Sequence, residues 1–85
     1  MTKLTTAQRT LLRKMLDLNL ALVQHDTRSD HRYLLVYADN LEMFEVVNTK
    51  TARNLADRRD CLRFDSTSSG NTQRVYRTLD DLKLR

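Results

Sequence analysis

Between Leu11 and Val23 the chain is apolar on more than one side of any helix it could form. Leu11, Met15, Leu18 and Leu22 recur at four, three and four, which is one seam of an α-helix. Leu12, Leu16, Leu20 and Val23 make a second seam beside it. Together the two seams cover about 200° of helix circumference, roughly twice what a surface helix needs. Thr5 and Gln8 stand at capping-box spacing, with a hydroxyl that can accept from a first-turn amide and a Gln side chain that can reach back. The pattern predicts a helix over 5–25. One seam can pack on a sheet, and a second copy of the helix is the simplest cover for the other. A homodimer is therefore expected, with Leu12, Leu16, Leu20 and Val23 at the interface. Asn19 falls inside the apolar arc and is read as bonding locally to a turn carbonyl or to the following loop. The alternative for Asn19 is a register-fixing pair across the dimer.

The length points the same way. An 85-residue chain forms one domain, residues 1–85, and buries roughly 60–65% of the surface its unfolded form exposes. A core this thin often needs a disulfide, a metal or a partner. Cys61 is the only cysteine, so no disulfide forms within the monomer, and a reducing, cytoplasmic setting is expected. No apolar run approaches the ~20 residues of a membrane span, and "MTKLTTAQRT" lacks the apolar segment of a signal peptide, so no membrane partner is expected. With Gly 1 and Pro 0, turns must be built from Asp, Asn, Ser and Thr.

After the polar connector 25–32, "YLLVYA" (33–38) reads as a strand apolar on both faces, suited to a central position. Asp39-Asn40 sits where a two-residue hairpin turn belongs, and "LEMFEVV" (41–47) returns. In that register Tyr37 faces Glu42, Leu35 faces Phe44 and Tyr33 faces Val46, with Phe44 and Val46 inward. Residues 51–60 read as a short helix with Ala52, Leu55 and Ala56 inward. "CLRF" (61–64) reads as a strand with Leu62 and Phe64 on one face, 65–72 as a loop and 73–77 as a strand. Thr78, with Asp81 at capping-box spacing, begins a last turn. The expected fold is α+β: a small antiparallel sheet packed on a long N-terminal helix, in the order α-β-β-α-β-β-(short α).

Catalytic chemistry finds little support. His25, Asp26, Asp30 and His31 share one polar loop without the ligand spacing of a zinc site, so no metal is expected. Cys61 has Arg58, Arg59 and Arg63 as neighbours, which would lower its pKa if it faced them, but no histidine base lies near it in sequence. A small buried hydrophobe is the reading taken. No phosphate loop, hydrolase elbow or metalloprotease motif is present. No catalytic residue, enzyme activity or cofactor is expected.

Charge is the remaining functional signal. The net +4 divides into +3 over residues 1–38, −3 over 39–48 and +4 over 49–85. Such a dipolar chain attracts polyanions to its basic body and can orient an acidic stretch toward a partner. Arg53, Arg58, Arg59, Arg63, Arg74 and Arg77 are the candidate phosphate contacts, since arginine presents a planar fork that stays charged. Asp57 and Asp60 sit among them, and a solvated face with internal ion pairs is the competing account. The leading expectation is a small non-enzymatic homodimer, nucleic-acid-binding or regulatory, contacting DNA or RNA through these arginines. The alternative is a protein-interaction module, an inhibitor or adaptor of a larger host complex in the manner of phage or plasmid accessory proteins. It would use the acidic hairpin at Asp39, Glu42 and Glu45 or the exposed helix seam.

Overall fold

A computed structural model describes residues 3–26, 28, 31–68, 72–79 and 82. The chain runs α1 (Thr6–Leu18), β1 (Leu20–Asp26), β2 (His31–Tyr37), β3 (Met43–Val47), α2 (Thr49–Ala56), β4 (Leu62–Ser68) and β5 (Gln73–Thr78). All five strands form one antiparallel sheet in the order β3-β2-β1-β5-β4. The α+β class holds, but the first helix has 13 residues rather than the length expected.

Helix α1 begins as its sequence dictates. Thr5 Oγ1 accepts from the Gln8 amide at 3.1 Å, and Gln8 Oε1 accepts from the Thr5 amide at 3.0 Å, closing the capping box. The helix ends at Asn19, which adopts the left-handed conformation (φ 53°, ψ 60°) and donates its amide to the Met15 carbonyl. The next residue is already strand. The apolar run "LALV" then alternates across the sheet: Leu20 and Leu22 join the core beneath the helices, while Ala21 and Val23 join a second cluster on the other face. The wide apolar arc is therefore a helix followed by a two-sided central strand. β1 is paired on both edges, with Leu22 opposite Leu35 on β2 and opposite Tyr76 on β5. The chain's own fold thus covers Leu12, Leu20 and Val23, three of the four residues for which a second helix was expected.

Both helices lie on one side. Leu11, Leu12 and Met15 of α1 and Ala52 and Leu55 of α2 bury against Leu20, Leu22, Tyr33, Leu35, Cys61 and Leu62. On the opposite side Ala21, Val23, Val36 and Val75 are buried, with Leu34 packed against them. In register the next pairs along this face are the longer residues His25 with Arg32 and His25 with Gln73.

The β2–β3 hairpin departs from the two-residue turn. Next to the turn the expected register holds, with Tyr37 N–H donating to Glu42 O and Val36 opposite Met43; a bulge then leaves Phe44 unpaired, and Leu35 with Glu45, Leu34 with Val46 and Tyr33 with Val47 are one residue off it. The bulge lets Phe44 and Glu45 both face the helices. Phe44 packs on the core and meets Tyr37 edge-to-face at 5.5 Å, while Glu45 accepts from Lys14 at 2.6 Å. Val46 consequently points away from the helices and is exposed, not inward. The connecting turn is closed by Leu41 N–H to Tyr37 O, with Leu41 at φ 61°.

Strand β4 runs four residues beyond the expected "CLRF". Ser66 and Thr67, assigned to a loop on composition, pair with Val75 and Arg74. The expected terminal turn on Thr78 falls mostly outside the described residues. Within them Leu79 N–H reaches Cys61 O, and Leu82 packs on the core.

Candidate nucleic-acid interface

The six arginines spread over two faces of the sheet. Arg63 and Arg77 are direct cross-strand partners, and both donate to Asp65, at 3.2 and 3.0 Å. Asp65 occupies the β4 bulge between Phe64 and Ser66. The Arg77 hydrogen bond holds the Asp65 carboxyl below its usual range. Arg58 forks onto Asp60 at 3.2 and 2.8 Å, which lowers that carboxyl and raises the guanidinium. Arg53 reaches the Tyr33 hydroxyl, whose pKa burial nonetheless pushes up. Arg74 stands apart on β5, opposite Gln24 and Thr67. Four of the six are therefore engaged with acidic or phenolic neighbours of their own chain.

Arg59 and Arg63, the latter with its guanidinium on Asp65, border one hollow. With Ala56 and Asp57 at the end of α2, Leu62 and Phe64 on β4 and Tyr76 on β5, they line a cleft of about 660 Å³. Asp57 caps α2, and Arg58 N–H to Leu55 O turns the chain out of the helix, which presents Arg59 at the cleft mouth. Phe64 sits on the helix side of β4 beyond the cover of α2, 54% exposed, its ring edge-to-face with Tyr76 at 5.8 Å. The aromatic member of this site is legible in "CLRF", but its exposure depends on where α2 stops. A second hollow of about 580 Å³ lies alongside, lined by Lys3, Thr5, Gln8, Asn54, Asp57, Arg58, Arg59 and Asp60.

Cys61 is buried in the core, and burial pushes its thiol up, the opposite of what a nucleophile requires. Among the described residues no group of three or more His, Cys, Asp or Glu side chains could hold a metal. His31 lies against the Asp26 carboxylate and His25 Nδ1 is 3.4 Å from the Gln73 amide; Asp30 is outside the described residues. No helix among the described residues is long and apolar enough to cross a membrane.

The four residues assigned to a dimer seam do not share a surface. Leu12, Leu20 and Val23 are buried within the chain, and Leu16 alone is exposed. The acidic set is gathered around the β2–β3 hairpin, where Glu45 pairs with Lys14 and Asp39 accepts from the Asn19 side-chain amide at 3.4 Å. Comparison with protein-family models, curated proteins and solved structures gives no match.

Proposed function

We propose that this chain is a non-enzymatic binding protein that takes single-stranded DNA or RNA into the cleft between α2 and β4. One observation carries the reading: an exposed aromatic ring, Phe64, flanked in a single cleft by Arg59 and Arg63. Single strands are held by bases stacked on aromatic side chains and by cations along the backbone. Phe64 supplies the stacking face and Arg59 a phosphate contact, while Arg63 offers a second one in competition with its own Asp65. Asp57 can accept a hydrogen bond from a base amino group. Duplex binding draws less support, because the arginines form no continuous stripe and two aspartates, Asp60 and Asp65, neutralise part of the field.

Fluorescence anisotropy with labelled mixed-sequence single strands and duplexes tests it. Single strands bind more tightly than duplex, and affinity falls with salt at a slope of about −0.7 per phosphate contacted. Phe64→Ala lowers affinity about five- to 150-fold, the worth of one stacked base. Absence of binding at low salt, or binding indifferent to Phe64→Ala and Arg59→Glu, overturns the reading. A protein-interaction module is the second reading, favoured by exposed Tyr37, Leu41, Met43 and Val46 beside Asp39 and Glu42.

A further inference from the structure

Strand β3 is one of the two edges of the sheet, so its outer backbone groups have no strand beside them. Around it the apolar surface of the molecule is concentrated. Of the seven large hydrophobic side chains exposed among the described residues, Tyr37, Leu41, Met43 and Val46 belong to the β2–β3 hairpin. Leu18 adjoins them, because Asn19 O accepts from the Ala38 amide and brings the end of α1 to the hairpin. Met43 and Val46 are 62% and 56% exposed. They continue, in register, the rows formed by Val36 and Ala21 and by Leu34 and Val23. Edge strands are ordinarily blunted by lysine or proline, and residues 39–48 contain neither. The bulge at Phe44 interrupts this edge, and beyond it Glu45–Val47 keeps a regular ladder.

The charge around this edge is opposite to that of the rest of the chain. Residues 39–48 carry −3 in a protein of net +4. Lys14 neutralises Glu45, and Asp39 and Glu42 meet no cation among the described residues. Leu41 adds backbone strain, since a leucine at φ 61° is held in a conformation that favours glycine, and it presents its side chain at the tip of this corner.

From the juxtaposition of an unpaired strand edge, an exposed apolar row and an acidic rim, we infer that β3 is the docking site for an extended segment of another protein in which apolar residues alternate with Lys or Arg. The segment adds alongside Glu45–Val47 as a sixth strand and makes main-chain hydrogen bonds. Its apolar side chains cover Met43 and Val46, and its cations meet Glu42 and Asp39. Charge decides against a second copy as occupant, because two-fold pairing of β3 with itself brings two acidic edges together. This surface is independent of the cleft at Phe64.

A random-peptide display selection on the immobilised full chain tests the inference. Selected peptides are expected to alternate apolar residues with Lys or Arg. Their binding should weaken at least about tenfold with Val46→Lys and with Glu42→Lys, a change equivalent to about 1.4 kcal/mol. Arg59→Glu should leave it unchanged. Bound peptide should slow hydrogen exchange in Glu45–Val47 and leave β4 unaffected. Both variants alter exposed side chains, and a circular-dichroism melt checks that they fold. If Val46→Lys does not, Met43→Lys replaces it. Peptides without the basic alternation, binding indifferent to Val46→Lys and Glu42→Lys, or protection elsewhere in the sheet overturns the inference. So does a stable homodimer that Val46→Lys dissociates.

Discussion

Asn19 separates helix from strand without any loop, and it does so in a backbone conformation that few residues accept. Left-handed φ costs an ordinary L-residue about 1–2 kcal/mol, and asparagine and glycine are the usual occupants. Asn19→Ala should therefore lower stability by about 1 kcal/mol in urea unfolding, while Asn19→Gly stays within about 0.5 kcal/mol of the native chain. Leu41 at φ 61° gives the reverse case. Leu41→Gly should raise stability by about 1 kcal/mol, at the cost of an apolar contact on the docking edge. Asp65 sets an acid limit. The Arg77 guanidinium keeps its folded carboxyl below the usual 3.8, so the ion pair stabilises the protein fully above that value and is lost as pH falls below it. Asp65→Asn should flatten the acid limb of a plot of stability against pH and leave neutral pH little changed. In the sequence Asn19 stood out inside an apolar arc, but the arc read as one helix, so its capping role was not legible. In place of the local side-chain bond expected of it, its side-chain amide donates to Asp39, far along the chain in the β2–β3 turn.

The elements divide by how local their causes are. The start of α1 was fully legible, because Thr5 and Gln8 fix it among themselves. Thr5→Ala should cost about 1 kcal/mol in thermal or urea unfolding. The second helix was legible in existence but not in extent: it runs Thr49–Ala56 where 51–60 was expected, and Asn48 Oδ1 caps it by accepting from the Thr51 amide at 3.0 Å. β1 was not legible. Leucine and alanine favour helix, and a short apolar run fits a buried strand or a buried helix equally. What settles "LALV" is distant: β2 and β5 both need it as partner, and burial on two faces outweighs local preference. The β4 extension has the same origin, because Ser66 and Thr67 have little intrinsic reason to be strand until β5 aligns beside them. The hairpin register slipped by one because no composition rule marks the Phe44 bulge. Of the candidate site, the arginines and acids could be named from sequence. Their division between two sheet faces, and the meeting of Arg59 and Arg63 at Phe64, required the topology.

At the scale of the whole molecule, a thin core makes each fully buried side chain count. Leu12 and Leu22 have no exposed surface. Leu12→Ala or Leu22→Ala should cost about 2–5 kcal/mol, a large share of what a domain this size has available. The two open edges differ in character: β3 has the acidic hairpin with apolar residues, β4 has Arg63 and the aromatic cleft. One small sheet thus offers two chemically distinct surfaces on opposite margins. The central position of β1 also has a consequence for the order of synthesis. β1 and β2 leave the ribosome early, but β5, the other neighbour of β1, is encoded nearly fifty residues later. Until then the "LALV" segment has one bare edge and two apolar faces, the pattern that recruits strands from other nascent chains. A message cut short before Gln73 would yield a chain whose most aggregation-prone strand stays open for good.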